Sequence, residues 1–313
     1  MKSEIFNTSS IVYLKNKDID RAKWDKCIDN APNGLIYAYS FYLDAMAKHW
    51  DALVLNDYEV VMPVTWNKKY GICYLYQPFL CASLGLFGDN LSSEMLSIFL
   101  NKIPKRFKYR DIYLNAGNNF ATQKYGLYTR TNYTLALNKP YSVLLNNFRN
   151  SYKQIIKKTA ANKLEIKQNI NVEEIIVLEK IQLGTASKIK NTDWQNFAQL
   201  YKMLLAKTKA INYGIYLRDE LLASGIFLFS KNRAYYLLAG NIKKGRPLGA
   251  SHLVINTFIQ HHAGKNLILD FVGSNIPGIA FFFKGFGAQV EEYPGIKYNA
   301  LPPILRSLKK YRG

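Results

Sequence analysis

Apolar and polar positions along this chain follow two periods, and the switches between them mark its elements. From Asp51 to Lys68, DALVLNDYEVVMPVTWNK reads as a strand, a turn at Asp57 and a second strand interrupted by Pro63. YGIYLRDELLASGIFLFS, from Tyr213 to Ser230, lies over it without a gap, with its turn at Asp219 and its interruption at Gly225. Only the pairs Leu55/Leu217 and Asp57/Asp219 are identical. A third strand follows in each case (Gly71–Tyr76; Arg233–Leu238), then a Gly-containing loop. A helix (Ser92–Ile103; Gly249–His262) and a strand (Asp111–Asn115; Leu267–Phe271) complete each set. Helices are also expected at Ile19–Asn30, Ser40–His49, Val172–Leu183 and Asp193–Lys207. One order of elements met twice predicts a tandem duplication; the alternative is two mixed α/β halves that share an order by chance. The expected domains are 1–137 and 138–313, with the basic segment Ile304–Gly313 packing back on the first.

Two further stretches stand out. Leu267–Tyr293, LILDFVGSNIPGIAFFFKGFGAQVEEY, reads as a short buried strand, a polar loop at Gly273–Asn275, a helix opened by Pro277 and closed by Gly285, and a last strand. Between the halves, FRNSYKQIIKKTAANKLEIK carries Arg149, Lys153, Lys157, Lys158, Lys163 and Lys167 around an apolar stripe of Phe148, Tyr152, Ile155 and Ile156. That spacing predicts one amphipathic basic helix over Phe148–Lys167, either a solvated face or a binding surface.

Composition narrows the setting. The chain has 313 residues, enough for two cores, and its formal net charge of +20 calls for anionic partners: nucleic acid, an anionic membrane surface, or phosphorylated substrates such as CoA esters. Cys27, Cys73 and Cys81 show neither CxxC spacing nor an even count, so no disulfide framework or zinc site is expected. His49, His252, His261 and His262 form no ligand spacing, and GxSxG, GxGxxG and a Walker loop are absent. MKSEIFNTSS lacks the apolar core of a signal peptide, and no apolar run approaches the ~18 residues that span a bilayer. The expectation is a cytoplasmic protein without a metal, free or peripheral to the inner face of a membrane.

The Leu267–Tyr293 stretch resembles the end of the GNAT acyltransferase fold: a strand, an Asn-bearing loop (Asn275), an aromatic helix (Phe281, Phe282, Phe283) and a turn made by Gly285, Phe286 and Gly287. With the basic helix, it looks most like the FemAB-type branch. The resemblance implies two tandem GNAT-like domains, each a mixed, mostly antiparallel sheet with flanking helices. It also implies an N-acyltransferase moving an acyl or aminoacyl group from CoA, or from tRNA, to an amine on a cell-wall precursor, a lipid-linked or a small-molecule acceptor. Members that use tRNA carry a long helical hairpin, for which this chain has no room after Arg149; CoA or acetyl-CoA is the favoured donor.

The family's carrier loop, Q/R-x-x-G-x-G/A, corresponds to Asn241–Ser251, NIKKGRPLGAS, where Arg246, Gly249 and Ser251 fill the pattern, with serine where glycine or alanine is usual. The expected carrier contacts are Leu238, Gly240, Lys243, Lys244, Gly245, Arg246, Gly249, Ala250, Ser251 and Asn275, with glycines admitting a pyrophosphate to a helix N-terminus. The matching loop of the first half, Gln77–Asp89, has no basic residue. Arg149, Lys153 and Lys157 are the expected contacts for a phosphorylated substrate. Acyl transfer needs a base for the amine and a stabilised oxyanion. Asp270 is the candidate base, or else a cap of the loop after it; Tyr213, Tyr236 and Tyr298 are candidate acids. Asn275 contacts the carrier or caps its helix. A non-catalytic protein binding nucleic acid or anionic membrane through its basic surface is the alternative, with KRFKYR (Lys105–Arg110) and KKYR (Lys309–Arg312) as the stretches that interleave cations and rings.

Overall fold

A computed structural model describes residues 11–120, 127–159, 162–184, 187–303 and 306. Met1–Ser10, Lys309–Arg312 and all of Ile304–Gly313 except Arg306 lie outside the described residues. Two compact units divide the chain, residues 1–130 with 292–313 and residues 131–291. The first therefore ends before Leu137 and is completed by the chain's last strand.

The first unit runs β1 (Ile11–Leu14), α1 (Arg21–Asn30), α2 (Ser40–Met46), β2 (His49–Leu55), β3 (Val60–Lys69), β4 (Ile72–Leu75), β5 (Phe87–Gly88), α3 (Ser93–Lys102) and β6 (Phe107–Tyr113). After β7 (Leu127–Ala136) the second continues through α4 (Tyr141–Asn146), α5 (Asn150–Thr159), β8 (Glu165–Gln168), α6 (Val172–Leu183), α7 (Asn191–Ala206), β9 (Ala210–Leu217) and β10 (Glu220–Ser230). It closes with β11 (Arg233–Asn241), α8 (Ala250–His262), β12 (Ile268–Asp270) and α9 (Pro277–Lys284), and β13 (Gln289–Asn299) follows.

The duplication is visible in the pairing. In the first unit the strand order is β1-β2-β3-β4-β6-β13, with β5 on β3; in the second it is β7-β12-β11-β10-β9-β8. Each holds an antiparallel hairpin, β2/β3 or β9/β10, and one parallel pair, β4/β6 or β11/β12, joined through α3 or α8. Local chemistry sets the ends. Asp20 accepts from the N–H groups of Ala22 and Lys23 to start α1, Ser92 accepts from Met95 to start α3, and Asn171 accepts from Glu173 to start α6. The β9/β10 turn needs a left-handed residue, which Arg218 supplies at φ 55°.

Four expectations change. Pro63 does not break β3, because there β3 pairs only with β2: β5 has stopped at Val61 and β4 begins at Trp66. Gly225 does not break β10 either; a Cβ there would stand 2.6 Å from both the Tyr236 ring and Val254, so glycine serves packing. α2 ends at Met46, and His49 opens β2. The basic helix covers only Asn150–Thr159, since beyond it Leu164 and Ile166 follow a period of two and Glu165–Gln168 pairs with Tyr213–Tyr216 as a strand.

Candidate functional site

In the second unit, β11 and β12 run together only briefly. Their parallel pairing matches Arg233–Tyr235 with Ile268–Asp270 and stops. The ladder from β11 to β10 then skips Leu237, with Ile226 opposite Leu238 and Phe227 opposite Tyr236. Such a bulge re-aims the backbone and is common beside functional sites. Beyond it, the Ile242 N–H donates to Leu222 C=O at 3.0 Å, so the even-numbered residues face β10 and the odd-numbered ones turn their backbone groups away. Gln182 of α6 meets these groups: its Oε1 accepts from the Asn241 N–H at 2.7 Å, and its Nε2 donates to Ala239 C=O at 3.3 Å. An exposed amide side chain thus covers the edge that β12 has left.

α6 covers one face of this strand and α8 the other. On the α6 face, Leu178 fills the space at Gly240, where a Cβ would lie 2.8 Å from it. The next residue, Glu179, is 8% exposed, and its Oε2 is buried without a hydrogen-bond partner. Burial pushes this carboxyl from 4.5 up to about 7. On the α8 face, Tyr236 stacks on Phe227 at 4.9 Å, and Phe227 stacks on Phe258 at 3.9 Å. Burial, and after it the charge of Glu179, raise the Tyr236 hydroxyl far above its ordinary value. Glu179 and Tyr236 are thus buried on the two faces of β11, alongside the part that β12 no longer pairs.

The paired segment is held by ions. Arg233 donates from Nη1 to Asp270 at 2.6 Å and from Nη2 to Glu291 at 3.0 Å, and Asn132 Nδ2 donates to both carboxylates at 3.0 Å. Asp270 also accepts from the Val272 N–H at 2.7 Å. For Glu291 burial opposes ionisation, but the hydrogen bonds and charge of Arg233 outweigh it and hold the carboxyl below its usual range.

The comparisons match this architecture. The solved structure of FemX aligns over 93% of this chain and 98% of its own, with a TM-score of 0.65 at 15% identity. A tandem GNAT protein from the clavulanic acid biosynthesis pathway aligns over 93% and 99%, with a TM-score of 0.53 at 11% identity. The chain has the tandem GNAT fold. A GNAT-family acetyltransferase from Colwellia psychrerythraea agrees, with a TM-score of 0.52 at 14% identity over 92% of this chain and 99% of that one. No family model and no curated protein matches the sequence.

Within the tandem GNAT fold the expected site residues separate. Asp270 is 5% exposed with both oxygens engaged, so it anchors β12 instead of standing ready as a base, and its bond to Val272 is the capping role. Tyr213 and Tyr236 lie under α8; burial raises the Tyr213 hydroxyl to about 12, and it shares a hydrogen with His261 Nδ1 at 2.9 Å. Tyr298 belongs to the first unit, with Arg110 over its ring at 4.9 Å. Asn275 does not cap α9: its Oδ1 accepts from the Thr131 N–H at 3.2 Å, and Ser274 Oγ meets the Ile276 N–H.

The carrier loop is built differently from its sequence pattern. Gly249 adopts φ 73°, but a Cβ there would lie 2.4 Å from Ile155 of α5, so the glycine admits α5 in place of an open approach. Ala250 is fully buried, and Ser251 Oγ accepts from Asn241 at 2.6 Å. Leu238 and Gly245 are buried and Gly240 faces Leu178; Lys243 and Arg246 stand exposed, and Lys244 pairs with Glu220. The structure does bring the basic helix to the aromatic one. The Arg149 guanidinium lies 3.6 Å from the Phe281 ring centre, and a Cβ on Gly285 would stand 2.1 Å from Tyr152. Lys153 donates to Asn146 C=O at 2.8 Å, and Lys157 is exposed.

Glu179 and Gln182 are absent from the sequence reading, although a signal existed: Val172, Ile175, Ile176 and Glu179 share one helical face. In the first unit a cavity of 440 Å³ opens at the start of α3, rimmed by Glu59 and Asp89, which repel a phosphate. Among the described residues, no group of acidic, His or Cys side chains is arranged to hold a metal, and no helix is long and apolar enough to cross a membrane.

Proposed function

We propose that this chain is an N-acyltransferase that passes an acyl or aminoacyl group from a carrier, acyl-CoA before tRNA, to a primary amine on a cell-wall precursor, a lipid-linked or a small-molecule acceptor. The observation that carries this reading is the β11 edge beyond Tyr235. Its Ala239 C=O and Asn241 N–H are spaced for an added strand, and the amide of Gln182 satisfies both. A carrier arm with secondary amides, such as pantetheine, offers the same donor and acceptor and replaces Gln182 one for one. The bulge at Leu237 marks where the arm's reactive end arrives. The named acyltransferases share the fold at low identity, so the functional reading rests on this geometry.

The chemistry asks little covalent help. The amine nitrogen attacks the acyl carbonyl, backbone N–H groups of the freed edge face the developing oxyanion, and the carrier thiolate departs. Because Ile155 closes the space at Gly249, recognition falls mainly on the arm and less on its phosphates. The test compares acetyl-CoA with S-acetylpantetheine, which lacks the nucleotide. Both are expected to raise the melting temperature, both effects strengthen in Gln182→Ala, and acetyl label passes to a primary amine in a panel of acceptors. Absence of binding by either thioester, together with no transfer from acetyl-CoA or aminoacyl-tRNA, sinks the reading.

A further inference from the structure

We infer that Glu179 is the proton acceptor for the attacking amine, working from the α6 face while the acyl carrier lies along the edge of β11. The inference rests on the acyl-transfer reading above and adds a catalytic residue to it. Three observations converge on this side chain. It stands one helical turn before Gln182, whose amide occupies the edge proposed for the carrier, so a carrier that displaces Gln182 runs past it. Its Oε2 is buried without any hydrogen-bond partner, a state that native proteins rarely leave unexplained. The residue before it, Leu178, packs on Gly240 of β11, three residues beyond the bulge at Leu237, so Glu179 stands on the turn of α6 that covers the strand carrying the proposed reactive end.

Neighbouring charges leave it alone. Glu173 pairs with Lys202 of α7, Glu174 accepts from Tyr216 of β9, Lys180 donates to Asn191, and on β10 Glu220 pairs with Lys244. Asp193 caps α7 at Lys190, and Tyr201 accepts from Asn212. With burial holding the carboxyl at about 7, roughly half is ionised at neutral pH, which suits a general base. An alkylammonium gives one proton to Glu179 and becomes the free amine. Its lone pair then forms the C–N bond, the thioester C–S bond breaks, and the second nitrogen proton goes to the leaving thiolate.

The experiment measures kcat against pH for acetyl transfer to a primary amine, in the full chain and in Glu179→Gln. The wild type is expected to rise to a plateau above about pH 7. Glu179→Gln is expected to fold with an unchanged melting temperature at pH 4, below the window in which Glu179 titrates, to bind S-acetylpantetheine as before, and to lose about 100-fold or more in kcat. Its rate should keep climbing toward the amine's own pKa, because solution now supplies the deprotonated amine. A variant within threefold of wild type, or one with the same plateau, overturns this role and leaves the acyl-transfer reading standing. A wild type that transfers nothing from any donor overturns both.

Discussion

At the scale of single residues, buried charge separates the candidates. Glu179 titrates at about 7 in the fold against 4.5 for an ordinary glutamate, so between these values the unfolded chain loses a proton that the folded one keeps. Stability contributed at this site therefore falls as pH rises from 4.5 to 7, by about 3 kcal/mol, and is level on either side. Urea unfolding of wild type and Glu179→Gln across pH 4–8 should show that difference as a changing gap; a constant gap refutes the buried, unpaired carboxyl. Arg233 gives the opposite sign. Arg233→Met leaves Asp270 and Glu291 buried without their cation and should cost about 3–5 kcal/mol at pH 7, less at pH 4 where the carboxyls take up protons. An equal loss at both pH values contradicts the ion-pair account. Asp270 drew attention in the sequence because it ends a strand before a polar loop, but its engagement with Arg233 and Asn132 depends on distant strands that no local pattern reveals. Glu179 was legible as an acid on an apolar helical face, and its proximity to β11 was not.

Elements were legible where a single period ran their full length. The two hairpins, α3, α6, α8 and α9 obey clean patterns, α3 and α6 with side-chain caps at Ser92 and Asn171, and they stand where the spacing puts them. The basic helix was overextended because lysines suit a helix and a solvated strand equally, and only the alternation of Leu164 and Ile166 tells them apart. Gly249 shows the same limit: a glycine before a helix fits a phosphate cradle or a close helix approach, and here it meets Ile155. Gly249→Ala should cost about 2–5 kcal/mol, summing a left-handed penalty of about 1–2 and overpacking of about 1–3. Adding Ile155→Ala removes the clash but not the backbone penalty. A double-mutant cycle in urea should therefore return part of the loss as coupling, and strict additivity would mean that α5 does not close this corner.

Over the whole molecule, the sequence carries the duplication plainly and the charge only as a sum. The span from Ile112 to Leu164 contains eight Lys or Arg and no acid, and the span from Phe271 to Val290 contains no acid either. α5 and α9 come from these two spans, and Arg149, just before α5, lies over the ring of Phe281 in α9, beside exposed Ile276 and Ile279. Phe281, itself exposed, can stack on a base or enter a bilayer, but the isoleucines offer a base neither stacking nor a hydrogen bond, and cations beside them fit an anionic bilayer. The chain should float with phosphatidylglycerol vesicles and not with phosphatidylcholine ones. Lys153→Ser/Lys157→Ser/Lys158→Ser should weaken binding most at low salt, since at 0.1 M the screening length is about 10 Å. Ile279→Ser/Phe281→Ser should remove the part that survives about 0.5 M salt. Tight binding of random RNA with no flotation at low salt would assign the basic surface to nucleic acid, and an unchanged Ile279→Ser/Phe281→Ser variant would leave charge as the whole of the attraction.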